Sequence, residues 1–282
     1  MISRIVAPLR VGANRAYLRW RARPSHSTGE VEQAPPARPA HGTEGIEVVV
    51  IRLDVGAEAV RRSIAVLSKT ERHRAARIAF DRERRRFVVA RARLRELLAT
   101  RLATRPDSIE LTYGPHGKPA VAPGSADSDL RFNVSHSNDV AVYAFASGRE
   151  VGIDVEAVRA IRDADDIAAR FFSHRENEAY LALDPRDKTI GFFNCWTRKE
   201  AFIKALGEGL YHPLDCFDVS LEPDESARIL RVKNTPGDEC GWRMESISPA
   251  PGFVGAVVTE YGTRRCATLA SPLAAAPPRD DA

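Results

Sequence analysis

Three short, largely apolar and β-branched runs follow one another closely, at residues 130–134, 140–145 and 150–155. A parallel strand pair needs a crossover of about a dozen residues or more, and neither gap here is that long. Consecutive members of the trio are therefore expected to be antiparallel neighbours, with residues 135–139 and 146–149 as their turns. A regular strand–helix alternation would be needed for a doubly wound sheet, and the chain does not show it.

The remaining pattern places helices and strands in both halves. Residues 46–53 read as a first strand, and 57–67, 70–80 and 81–102 as helices. Phe87, Val88, Ala92, Leu94, Leu97 and Leu98 form the buried side of the longest of these. A short strand is expected at 109–112, followed by the Gly/Pro-punctuated loop that presents Lys118. Helices follow at 161–171, 175–183 and 188–206, the last ended by Gly207 and Gly209. Strands are expected at 217–221, 227–232, 242–246 and 252–259. The expected fold class is α+β, with two lobes: an N-terminal lobe over 46–148 and a C-terminal lobe over 149–262. Each lobe would be a small antiparallel sheet packed with helices.

Composition narrows the class further. The 282 residues, 44% of them hydrophobic, can build one large core or two smaller ones. Apolar runs are short and broken by Arg, Asp and Pro, so no membrane span and no membrane partner are expected. The balance of 42 Lys+Arg against 38 Asp+Glu is mildly basic and permits an anionic ligand or an acidic partner. Cys195, Cys216, Cys240 and Cys266 have neither metal-clip spacing nor the density of a disulfide scaffold, so reduced thiols are expected. Residues 1–45 form an Arg-rich, then Pro/Ala-rich, weakly ordered extension without a catalytic part; an organelle transit peptide has a similar composition. Residues 263–282 read as a loose tail.

Three segments stand apart from core patterning. In VGIDVE, residues 151–156, Asp154 and Glu156 alternate with Val151, Ile153 and Val155. Period-two spacing puts both carboxylates on one face of a strand, where a divalent cation would relieve their repulsion. A solvated strand face carries the same pattern. In WTRKEAFIKAL, residues 196–206, Trp196, Glu200 and Lys204 share a helix face, with Lys199 further around. Glu200 and Lys204 also fit a plain surface pair. In NVSHS, residues 133–137, which is expected to leave a strand and turn, Ser135 and His136 can donate to phosphate oxygens. A capping serine and a structural histidine fit equally.

These segments, with GKP at 117–119, FFSHRE at 171–176 and WTRKEAFIKALGEGL at 196–210, resemble the successive motifs of the Sfp-type 4'-phosphopantetheinyl transferases. The likeness runs from about residue 46 to 260. It implies a two-lobed pseudo-dimer that holds coenzyme A between the lobes. The implied activity is that of a holo-[acyl-carrier-protein] synthase: 4'-phosphopantetheine passes from coenzyme A to a serine of an apo carrier protein, releasing adenosine 3',5'-bisphosphate.

By motif match, Asp154, Glu156 and Glu200 would be ligands of Mg2+, or of Mn2+ in its place. Glu200 would be the general base, with Glu156 or a water sharing the proton transfer, and Lys204 would stabilise or protonate the departing phosphate. Lys118, Ser135 and His136, with Asp154 and Lys204, would contact coenzyme A as co-substrate. Arg77 and Arg86 would add phosphate contacts, with Arg82 or Arg85 in place of Arg86 if the register slips. Glu176 would support the metal region, while Phe171 and Phe172 belong to core or cleft wall.

The implied partners are acyl or peptidyl carrier domains of polyketide, nonribosomal peptide or fatty-acid synthases, met by a cytoplasmic monomer. Three rival classes make different demands. A catalytically silent coenzyme A or carrier-binding module would be favoured by loss of one of Asp154, Glu156, Glu200 and Lys204, and all are present. A nucleic-acid partner is not expected, because the Arg-rich helix after Asp81 interleaves acids and an apolar stripe. A metal-dependent phosphohydrolase would use water as the acceptor.

Overall fold

The computed structural model describes residues 45–124, 129–207, 212–233 and 241–261. Residues 1–44 of the expected extension, the whole expected tail, Gly209, Cys240 and Cys266 lie outside the described residues.

The N-terminal lobe begins with β1 (Ile46–Arg52), α1 (Ala57–Ala65), α2 (Lys69–Ala76) and the long α3 (Asp81–Arg101). A hairpin of β2 (Leu111–Tyr113) and β3 (Pro119–Val121) follows, then β4 (Leu130–Ser137) and β5 (Val140–Ser147). The C-terminal lobe repeats the scheme with β6 (Val151–Ala157), α4 (Ala164–Phe171), α5 (His174–Ala182) and the long α6 (Lys188–Leu206). A hairpin of β7 (Phe217–Val219) and β8 (Ile229–Val232) precedes β9 (Trp242–Ile247) and β10 (Phe253–Glu260). The sheet orders are β1-β5-β4 and β6-β10-β9, antiparallel throughout. In both, the last strand is central, flanked by the first and the penultimate. The two lobes are thus the same α+β unit used twice.

A buried ion pair occupies the same place in both lobes. Ser68 and Glu71 form a capping box at the start of α2, and Ser173 and Glu176 form one at the start of α5. Glu71 pairs with Arg95 of α3 at 2.6 Å, and Glu176 pairs with Lys199 of α6 at 2.8 Å. Each cation also donates to two backbone carbonyls beyond its helix. Arg95 meets those of Pro106 and Ile109, and Lys199 those of Leu214 and Phe217. One carboxylate therefore caps a short helix, anchors a long one and ties down the chain that follows it.

The two sheets lie face to face with the long helices outside. Val140, Val142, Ala144 and Ala146 of β5 pack against Val151, Ile153, Val155 and Val257 of the second sheet. The other face of β5, with Ala141, Tyr143 and Phe145, meets Val89, Leu94 and Leu98 of α3. Tyr143 secures that layer by donating to the carbonyl of Ala90. Each such fully buried aliphatic or aromatic side chain contributes roughly 1.5–3 kcal/mol. On the opposite side, Ala256 and Val258 pack against the α6 cluster around Phe202 and Ala201.

The structure corrects two expectations about the central strands. Residues 135–137 do not turn; they continue β4, and the turn is the pair Asn138 and Asp139, with Asn138 at φ 49°. Asn tolerates that left-handed conformation, and a two-residue hairpin loop needs it. Nor is β6 hydrogen-bonded to β5 as an antiparallel neighbour: it pairs with β10 in the second sheet. A short link cannot distinguish a hairpin from a step between stacked sheets. The helix expected over 70–80 also stops at Ala76, because Phe80 takes the extended backbone that caps α3.

Gly152 sets how closely α6 approaches β6. A Cβ there would overlap the Ala201 carbonyl oxygen and the Ala205 nitrogen, both helix backbone that cannot step aside. Gly152→Ala is expected to lower the free energy of unfolding by roughly 3 kcal/mol, read from the urea midpoint at unchanged slope.

Candidate active site

The site forms where β4, β6 and α6 meet. Asp154 and Glu156 project from the β6 face opposite the aliphatic residues, toward α6, and both are buried. Helix α6 is enclosed on all sides over residues 191–203. Trp196, stacked on Phe192 with ring planes 8° apart and edge-on to Phe171, wedges its N-terminal half into the core. Such wedging fixes the axial position of Glu200 and Lys204, one and two turns further on. Glu200 is 2% exposed, which rules out the solvent-exposed surface pair.

Lys204 turns to Asp154. Its ammonium lies 2.5 Å from Asp154 Oδ1, and it also donates to Ser135 Oγ and the Ile153 carbonyl, each at 3.2 Å. Asp154 Oδ1 accepts a second bond from the Ser135 hydroxyl at 2.7 Å. Asp154 Oδ2 and Glu200 Oε1 are buried with no hydrogen-bond partner. Burial raises the Asp154 carboxyl above the usual range, against the pull of Lys204 and with the repulsion of Glu156. Burial, then the charge of Asp154, pushes Glu200 up to about 7.

Two orphaned carboxylate oxygens, one on β6 and one on α6, with a third acid close enough to repel both, are a donor set for a hard cation. Among the described residues no three His, Cys, Asp or Glu side chains already close into a metal cage. The donors fit a divalent ion chemically, and Lys204 supplies a cationic contact to Asp154.

The site is joined to the N-terminal lobe by a ladder of side chains. Asn133 Oδ1, Ser135 Oγ and Ser137 Oγ on β4 accept the backbone N–H groups of Ile153, Val155 and Ala157 on β6, at 3.1, 3.4 and 3.1 Å. These N–H groups point away from β10, so β4 side chains complete the open edge of β6. Ser137 also donates to Glu156 Oε2 at 2.8 Å, where Arg159 approaches at 3.4 Å. Asn133 and Ser137 escaped the sequence reading, because nothing in the sequence shows that alternate β4 side chains face a second strand. The N-x-S-x-S spacing, once set beside D-x-E, is the signal that could have found them.

The other expected residues are distributed as follows. Lys118 pairs with Glu150 at 2.7 Å and donates to the Ala205 carbonyl at 3.1 Å, capping the C-terminal end of α6 from the opposite lobe. His136 lies on the face of β4 opposite Ser135 and is exposed. Arg77 caps α2 and lines a cavity of 550 Å³ with Thr70, His73, Arg74 and Ile78. Arg86 grips Asp54 with two hydrogen bonds of 2.7 and 2.6 Å, which lower the Asp54 carboxyl below its ordinary value. Arg82 and Arg85 are exposed, and Arg85 pairs with Asp81. Glu176 is engaged by other partners: one oxygen accepts Val219 N–H and the other meets Ser173 N–H and Lys199. Phe172 is core, and Phe171 packs on Trp196.

Buried carboxylate oxygens without a partner on Asp154 and Glu200, a lysine beside them and two matching lobes around them suit a protein that handles a divalent cation with an anionic ligand. Comparison with known proteins makes the class specific. Residues 150–258 match the family described as the 4'-phosphopantetheinyl transferase superfamily, and residues 56–148 match the family described as 4'-phosphopantetheinyl transferase, N-terminal. The chain is 35% identical to the 4'-phosphopantetheinyl transferase HetI of Nostoc sp. over 207 residues, 73% of this chain and 84% of that one. It is 32% identical to the 4'-phosphopantetheinyl transferase Sfp of Bacillus subtilis over 200 residues, 71% of this chain and 85% of that one. The chain belongs to the 4'-phosphopantetheinyl transferase superfamily, and it is an enzyme of that class.

Two outcomes are expected from the electrostatics. A carboxyl whose folded value is raised keeps its proton longer in the folded state, so its contribution to stability is full below its unfolded value and fades as pH rises. For Glu200 that window runs from 4.5 to about 7. In metal-free protein the urea midpoint should fall across it, and Glu200→Gln should flatten the fall. Lys199→Met, which strands Glu176 in the core, should cost roughly 3–5 kcal/mol in the same assay.

Proposed function

We propose that this chain carries out Mg2+-dependent transfer of 4'-phosphopantetheine from coenzyme A to a serine hydroxyl of an apo acyl or peptidyl carrier protein. The observation that carries the site assignment is the pair of buried, unpartnered oxygens on Asp154 and Glu200, beside Lys204, within the segment that matches the superfamily. Asp154, Glu156 and Glu200 would hold the metal, and Mn2+ has the same oxygen chemistry. Bound there, the ion supplies charge withdrawal from the phosphoryl oxygens of coenzyme A.

The residues of the chain account for the rest of the step. Glu200, held near neutrality by burial, takes the proton from the incoming serine. The serine oxygen bonds to the β-phosphorus as that atom's bond to the bridging oxygen breaks, and adenosine 3',5'-bisphosphate departs. Lys204 leaves Asp154 to meet the charge on the departing phosphate. Lys118, Ser135 and His136 border the coenzyme, with Arg77 and Arg86 as further phosphate contacts. Arg86 would have to exchange Asp54 for phosphate, and its planar fork suits either.

The lobes, taken as 46–148 and 149–262, both line the site, so one chain supplies a whole cleft and we assign a monomer. Among the described residues no helix is long and apolar enough to cross a membrane. Cys195 is a free buried thiol, in keeping with a reducing, cytoplasmic setting. The partners we assign are carrier domains of polyketide, nonribosomal peptide or fatty-acid synthases.

Intact-mass spectrometry of apo carrier proteins from those three systems, incubated with enzyme, coenzyme A and Mg2+, tests the assignment. A phosphopantetheine mass gain that EDTA abolishes is expected, and Glu200→Gln should slow it by about 10²–10⁴-fold. A folded, coenzyme A-binding chain that modifies none of the carriers would overturn it in favour of a silent binding module.

A further inference from the structure

We infer that Ser137 is a positioning residue that orients the Glu156 carboxylate as a metal ligand, an assignment that rests on the function proposed above. A serine hydroxyl has one proton and two lone pairs. At Ser137 the Ala157 N–H, 3.1 Å away, occupies a lone pair, so the proton is directed to Glu156 Oε2 at 2.8 Å. The backbone of β6 thereby sets the direction in which the hydroxyl donates. One rung earlier the unit repeats: Ser135 accepts from Val155 N–H and donates to Asp154 Oδ1. Both acids thus lie beside a strand N–H group that fixes the serine holding them.

The two rungs differ in their reserves. Ser135 is assisted by Lys204, whose ammonium reaches both Ser135 Oγ and Asp154 Oδ1. At Glu156 the neighbouring cation is Arg159, at 3.4 Å from Oε2 and more closely bound to the Ala157 carbonyl at 2.9 Å. The first rung provides a control within the same ladder. Asn133 meets Ile153 N–H as the serines meet theirs, but the residue that corresponds to the acids is Gly152, which has no side chain to orient.

The test uses the full chain and Mn2+ as the probe. Mn2+ affinity is measured by electron paramagnetic resonance titration without and with coenzyme A, and thermal midpoints are recorded alongside. Ser137→Ala is expected to weaken Mn2+ binding about 10- to 100-fold, the scale on which removing a group that orients a ligand acts. Ser137→Thr, which keeps the hydroxyl on a strand-compatible side chain, should restore it. Asn133→Ala should lower the thermal midpoint and leave Mn2+ affinity unchanged. Wild-type affinity in Ser137→Ala overturns the assignment alone, as does an equal loss in Asn133→Ala, which would mean that loosening the seam is the cause. A wild-type chain that takes up no Mn2+ under either condition overturns both this assignment and the metal role it rests on.

Discussion

The open edge of β6 is the constraint around which the molecule is arranged. A strand buried between two lobes cannot leave its N–H groups to water, and an unmet buried donor costs about 1–3 kcal/mol. Asn133, Ser135 and Ser137 meet three such groups from the side chains of β4 instead of from its backbone. Because those side chains stand upright from their sheet, the contact stacks the two sheets and does not extend one into the other. The stacked arrangement leaves the opposite face of β6 free to meet α6, and the acids lie on that face. Two of the three seam residues, Ser135 and Ser137, therefore also support the acids.

The second requirement is that a helix be buried all round and still carry charge. Arg198, Lys199 and Glu200 of α6 are each about 2% exposed or less. Two of them have their hydrogen-bonding needs met: Lys199 by the Glu176 carboxylate and two carbonyls, Arg198 by the hydroxyls of Ser220 and Ser246 and the Glu225 carbonyl. Glu200 Oε1 has no partner. A buried ion pair adds little net stability, since desolvation offsets most of the attraction. Its recurrence as Glu71 with Arg95 and Glu176 with Lys199 points to a role in placing each long helix against its short neighbour.

The alternation in VGIDVE and the i, i+4 spacing of Trp196, Glu200 and Lys204 set these side chains on shared faces from sequence alone, because period two and period 3.6 are local rules, and the motif resemblance is what singled them out as a site. Placing 135–137 in a turn failed because Ser and His at a strand end look like loop residues until a partner strand is known. The repeat was present as SKTE at 68–71 and SHRE at 173–176, each followed more than twenty residues later by a buried cation. Little else in the two halves is alike, so a four-residue likeness does not stand out from chance. Glu176, which the motif resemblance sets in support of the metal region, is a capping glutamate with Lys199 as its partner, a role that only the packing of α5 on α6 reveals.

By itself the sequence determined the element order apart from β3, which it left in a loop, together with the α+β class, the likeness to the phosphopantetheinyl transferases and the identity of the acids. Each of these depends on residues near one another in the chain or on side-chain chemistry. Only the tertiary structure decided that β6 leaves the first sheet, that Lys204 rests on Asp154 and not on Glu200, and that Asn133, Ser135 and Ser137 join the lobes. Those outcomes depend on which backbone groups remain unmet when two sheets stack. That is a property of two surfaces brought together, and no local pattern in either contains it.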